Sequence, residues 1–129
     1  MPIEIKGLEE LFRKLDHAAA VQTLTPPMQR GVMRLQAYMQ VYPPPPPDSK
    51  YVRSGTLGKR WTAKVDPSAN GLVGKVGNRT PYGPFVQSGM FQTPWHRRTG
   101  WHTDSDAVAQ NEDVILADFQ QAVDRALAG

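Results

Sequence analysis

Apolar and polar positions alternate along two stretches between Ser54 and Gly77 that flank a turn. Leu57, Lys59, Trp61, Ala63 and Val65 fall on one face of an extended chain, with Gly58, Arg60, Thr62 and Lys64 on the other. Asp66-Pro67-Ser68-Ala69-Asn70-Gly71 supplies the reversal, because proline fixes φ and Asn-Gly tolerates positive φ. Leu72 to Gly77 returns with Leu72, Gly74 and Val76 on one face and Val73 and Lys75 on the other. The pattern predicts a β-hairpin.

Elsewhere the period is helical. Leu8, Leu11, Phe12 and Leu15 recur at three and four residues and predict a short amphipathic helix after Gly7. Ahead of it, Ile3 and Ile5 alternate with polar neighbours as a short extended lead-in. Thr25 fits a helix cap with Pro26 at the first helical position. Met28, Val32, Leu35 and Met39 then form one face of a second helix, which ends near Gln40 to Tyr42. Five prolines, Pro43 to Pro47, cannot continue it and predict a stiff polyproline II spacer within a proline-rich loop over 43–50. Tyr82, Phe85 and Val86 predict a short helical or extended piece with its aromatics packed under the hairpin. Residues 90–103 read as a basic, aromatic loop or irregular strand. From Asp104 onward, Val108, Ile115, Phe119, Ala122 and Ala126 form a stripe widened by Leu116, Val123 and Leu127. Asp104 or Ser105 caps this last helix, and Asn111 to Asp113 marks a potential break. The order implies an α+β domain over 1–129, with N-terminal helices and a C-terminal helix on a small antiparallel sheet built around the hairpin.

Composition changes this picture in three ways. Twelve prolines in 129 residues leave much of the backbone in loops, the absence of cysteine excludes disulfides and thiolate chemistry, and no apolar run is long enough for a membrane span. Charge is segregated. Met1 to Tyr42 holds five basic and four acidic residues, Pro43 to Thr103 nine against two, and Asp104 to Gly129 one against six. The segments therefore carry +1, +7 and −5 within a net charge of +3. Such separation points to an electrostatic partner or to complementarity between copies, unless the two faces neutralise each other inside one fold.

Candidate chemistry is sparse. His96 and His102, near Asp104 and Asp106, match no established zinc spacing, and neither a GxSxG elbow nor a glycine-rich phosphate loop is present. The chain reads as a non-enzyme with no catalytic residue, metal or cofactor. Lys50, Arg53, Lys59, Arg60, Lys64, Lys75, Arg79, Arg97 and Arg98, interleaved with Trp61, Tyr82, Trp95 and Trp101, make a basic surface with stacking rings, the signature of a cytosolic nucleic-acid-binding module. Trp61, on an alternating hairpin whose opposite face holds Arg60 and Lys64, is more often a core residue than a stacking platform.

Several short motifs in order carry a resemblance. They are an opening Ile-Lys-Gly-Leu-Glu-Glu-Leu-Phe-Arg-Lys-Leu helix, a second helix, Val52-Arg53-Ser54-Gly55-Thr56-Leu57 before a strand, and Pro81-Tyr82-Gly83-Pro84-Phe85-Val86-Gln87-Ser88-Gly89 after the sheet. Their order resembles the neck and tail-completion proteins of long-tailed bacteriophages, over nearly the whole chain. The motif residues are Ser54, Gly55, Leu57, Tyr82, Phe85, Val86, Gln87 and Gly89; Gln87 stands where the family usually has Glu. The resemblance implies a virion subunit assembled in the host cytoplasm into a ring, often six-fold, that joins head to tail or terminates the tail. Its implied partners are further copies, a portal-adaptor or head-completion protein, the tail tube and, transiently, DNA, with no membrane. Lys59, Arg60, Lys64, Lys75, Arg79, Arg97 and Arg98 are then the candidates for subunit contact or for lining a DNA channel.

Overall fold

The computed structural model describes residues 3–6, 13, 15, 17–44, 57, 60–68 and 71–128. Most of the expected N-terminal amphipathic helix, most of the proline run, and the motif residues Ser54 and Gly55 together with Lys50, Arg53 and Lys59 lie outside them. The elements are β1 (Ile3–Ile5), α1 (His17–Met39), β2 (Trp61–Ser68), β3 (Gly71–Asn78), α2 (Gly83–Gln87), α3 (Pro94–Arg98) and α4 (Asp104–Ala128). The three strands form an antiparallel sheet in the order β1-β3-β2, so the chain is an α+β fold.

The register turns the alternation into two unlike faces. Ala63 pairs with Val76 and Ile3 pairs with Val76 from the other side, while Val65 and Ile5 flank Gly74. With Trp61 and Leu72, these residues make the inner face. One cluster joins Ile3, Trp61 and Val76 to Val32, Leu35 and Met39 of α1 and Ala107 of α4. A second joins Leu72 to Leu24, Met28, Phe119 and Val123. Both long helices thus cover the same side of the sheet. Gly74 permits the close approach of α1, since a Cβ there would lie 2.6 Å from both Met28 Sδ and Val32 Cγ1.

Several boundaries differ from the sequence expectations. The β2–β3 ladder runs to Ser68 opposite Gly71, so Asp66 and Pro67 belong to the strand and not to the turn. An edge strand tolerates proline, because one flank of its backbone has no partner within the sheet. At the other end, β2 begins at Trp61, and Leu57 is a buried residue with helical backbone. Helix α1 does not start at Thr25 but runs through Pro26 and Pro27. Thr25 Oγ1 donates back to the Val21 carbonyl at 2.6 Å, so its hydroxyl is engaged inside the helix. The prolines remove two intrahelical bonds, at a cost on the order of 3 kcal/mol each in a helix interior. Burial of Ala20, Leu24 and Met28 on either side, each fully enclosed, offsets this.

Helix α4 is unbroken through Asn111 to Asp113. Its buried line is Ala107, Asn111, Phe119 and Val123, with Ile115 half-buried, whereas Val108, Leu116 and Leu127 from the expected stripe are exposed. Asn111 is accommodated because Nδ2 donates to the Ala107 carbonyl (2.7 Å) and Oδ1 accepts from Arg34 Nε (3.0 Å). The helix is capped by Thr103 and not by Asp104 or Ser105. Thr103 Oγ1 accepts the Asp106 N–H, and Asp106 Oδ2 accepts the Thr103 N–H, a reciprocal capping box.

Candidate functional site

The candidate basic residues that are described separate into two places. On the outer sheet face, Lys64 lies directly opposite Lys75, and both are exposed. Arg60 and Arg79 continue the same ladder, the Arg79 N–H donating to the Arg60 carbonyl at 3.2 Å, and both are exposed. None of the four has an ion-pair partner among the described residues. Glu4, across from Lys75 on β1, approaches Lys6 at 4.0 Å. Like charges directly opposite on a sheet repel, so this face holds a local electrostatic penalty.

Arg97 and Arg98 belong to the second place, the C-terminal turn of α3. Residues 90–103 are the expected loop, interrupted by the short helix α3 and containing no strand. Thr93 caps α3, with its hydroxyl against His96 Nδ1 at 2.6 Å, and Gln92 Nε2 donates to the carbonyls of Val86 and Trp101. Burial holds the His96 imidazole below its ordinary pKa of 6.5. The segment is tied to the core by rings: Tyr42 against Trp101 (centroids 5.0 Å apart), Trp101 against His96 (5.7 Å) and His96 against Trp95 (4.8 Å). His102 stacks on Tyr38 at 4.2 Å and contacts its carbonyl through Nδ1. The two histidines therefore face different partners. Among the described residues, no three His, Cys, Asp or Glu side chains converge as a metal site.

The Tyr82–Gly89 motif divides between core and surface. Val86 and Gln87 are buried, and Gln87 Nε2 donates to the Met39 carbonyl at the end of α1 (2.9 Å). Gly89 donates its N–H to Asp104 Oδ1 at 2.8 Å, and a Cβ on it would collide with the Ser105 side chain. Thus the motif joins the end of α1 to the start of α4. Tyr82 and Phe85, expected under the hairpin, are instead 45% and 54% exposed. They share the surface with Met90, Phe91 and Trp95, all exposed. Backbone bonds from Thr93 to Phe85 and from Phe91 and Gln92 to Ser88 hold this segment together.

Trp61 is buried on the inner sheet face, with Nε1 donating to the Tyr42 hydroxyl at 2.6 Å, and is no stacking platform. Burial is also the main cause that raises the Tyr42 pKa above its ordinary 10.0. Sequence reasoning missed the Tyr38–His102 and Tyr42–Trp101 contacts, because no local pattern links residues about sixty positions apart. It also missed Thr103, for which Thr103-Asp104-Ser105-Asp106 was an available signal. No protein family, curated protein or solved structure matches the chain.

Proposed function

We propose that this chain is a structural subunit of the head–tail junction of a tailed bacteriophage or prophage, whose copies close into a ring that completes or terminates the tail. The observation that carries this reading is the two-sided Tyr82–Gly89 motif. Its inner residues fasten two helices, and its outer residues present an apolar surface beside Arg97 and Arg98. Exposed apolar groups gathered in one segment suit protein contact, and arginine at their rim adds orientation. Asp106, Glu112, Asp113 and Asp124, exposed on α4, offer the opposite charge to a neighbouring copy. Such a contact uses two different surfaces and closes by rotation. Portal-adaptor or head-completion protein on one side and tail tube on the other complete the proposed partners. The work of the subunit is mechanical, with no catalysis.

Negative-stain electron microscopy of the purified protein at low salt tests this reading. Closed rings with a central opening are expected, and the Arg97→Gln/Arg98→Gln variant should yield far fewer of them. Unassembled particles for the parent protein, or equal ring yield for the variant, would count against it.

A further inference from the structure

The outer sheet face differs from the Tyr82–Trp95 surface in chemistry. Its described residues are Glu4, Lys6, Arg60, Thr62, Lys64, Asp66, Val73, Lys75, Gly77 and Arg79. Five are cationic and two anionic, and the only large apolar side chain, Val73, is half-buried. A surface without an apolar centre lacks what a protein interface buries. A polar, strongly positive surface is what a nucleic-acid interface has.

From this face we infer a binding surface for the phosphate backbone of duplex nucleic acid, contacted by Arg60, Lys64, Lys75 and Arg79 without reading bases. The two cationic pairs are four residues apart along the strands, about 14 Å at ~3.4 Å per residue. That separation covers the axial rise of about four base pairs. Among the described residues the face carries no aromatic ring, since Trp61 is buried on the inner face and the exposed rings Tyr82, Phe85, Phe91 and Trp95 lie in the segment that holds α2 and α3. Single strands are held largely by base stacking, so the duplex is the better fit. Phosphates between the pairs would also relieve the Lys64–Lys75 repulsion. This deepens the head–tail reading by naming where DNA touches the subunit, and it depends on that reading only for the source of the DNA.

The test is fluorescence anisotropy with a labelled, arbitrary-sequence DNA duplex, titrated across salt concentrations. Four phosphate contacts predict a log K against log salt slope near −3.6, a loss on the order of a hundredfold in affinity between about 50 and 200 mM salt. Lys64→Gln/Lys75→Gln should halve the slope and reduce that loss to on the order of tenfold, with Lys64→Gln and Lys75→Gln alone falling between. Both substitutions are at exposed positions, and circular dichroism verifies the fold of all three variants. Arg97→Gln/Arg98→Gln should leave the slope unchanged. The inference is overturned if the parent protein does not bind at low salt, if the double lysine variant keeps the parental slope, or if that variant loses self-association while DNA binding persists. The last outcome would assign the face to a second copy. Rings that form without DNA binding would refute this inference alone, and DNA binding without rings would refute the head–tail reading alone.

Discussion

Gln87 carries the strongest constraint on any single side chain in the motif segment. It is fully buried, its Nε2 donates to the Met39 carbonyl, and its Oε1 has no partner among the described residues. Glu, the residue usual at this place in the resembling family, would replace the donor with a carboxylate facing a carbonyl. Gln87→Glu should destabilise the fold at neutral pH by at least about 1–3 kcal/mol, measured by denaturant unfolding. Burial raises the pKa of the new carboxyl above its ordinary ~4.3, so the deficit is full above that raised value and shrinks as pH falls through it. Arg30 and Asp118 present the opposite sign. Arg30 makes two 2.8 Å bonds to the Asp118 carboxylate, and these bonds hold the Asp118 pKa below its ordinary 3.8. The stabilisation is present above 3.8 and is lost as pH falls through the lower folded value. Arg30→Gln should therefore lower the melting temperature slightly at pH 7, solvent screening keeping the effect small, and the difference should vanish at strongly acid pH.

At the level of elements, the seam between α4 and the rest of the core is held chiefly by Phe119 and Val123 against Leu24, Met28 and Leu72. Phe119→Ala should cost about 3–5 kcal/mol in chemical denaturation. A loss well under 1 kcal/mol would mean that α4 is not packed on α1 as described. The hairpin was legible because a period of two survives inspection of a single strand. Its turn was misplaced because Asp66-Pro67-Ser68 has turn composition, and only the edge position of β2 makes proline acceptable in a ladder. The α1 boundary failed for a related reason: Thr25-Pro26-Pro27 looks like a start until the buried Leu24 and Met28 on either side are taken into account. On α4 the apolar side chains Val108, Leu116 and Leu127 outweighed Ala107 and Asn111 in the pattern. Packing selected the four-residue line through the small and hydrogen-bonded residues instead. The candidate cations were legible as a list of residues. Their division between a sheet face and α3 was not, because it depends on register and on where the chain goes after Asn78.

For the molecule as a whole, charge is divided unevenly between the layers. The last helix exposes Asp106, Glu112, Asp113 and Asp124 against Arg125, α1 exposes Arg30 and Arg34, and the outer sheet face carries Arg60, Lys64, Lys75 and Arg79 against Glu4 and Asp66. The apolar Tyr82–Trp95 segment and its arginines form a third surface. In the proposed assembly, the apolar segment and the acidic α4 surface make the contact between copies, and the basic sheet face is left for DNA. Attraction between exposed charges weakens as salt shortens the screening length, so assembly through such faces must be salt-sensitive. The most direct measurement is the native mass of the purified protein at low and at moderate salt. A closed oligomer is expected at low salt, loosening as salt rises. A monomer at every salt and protein concentration would contradict it.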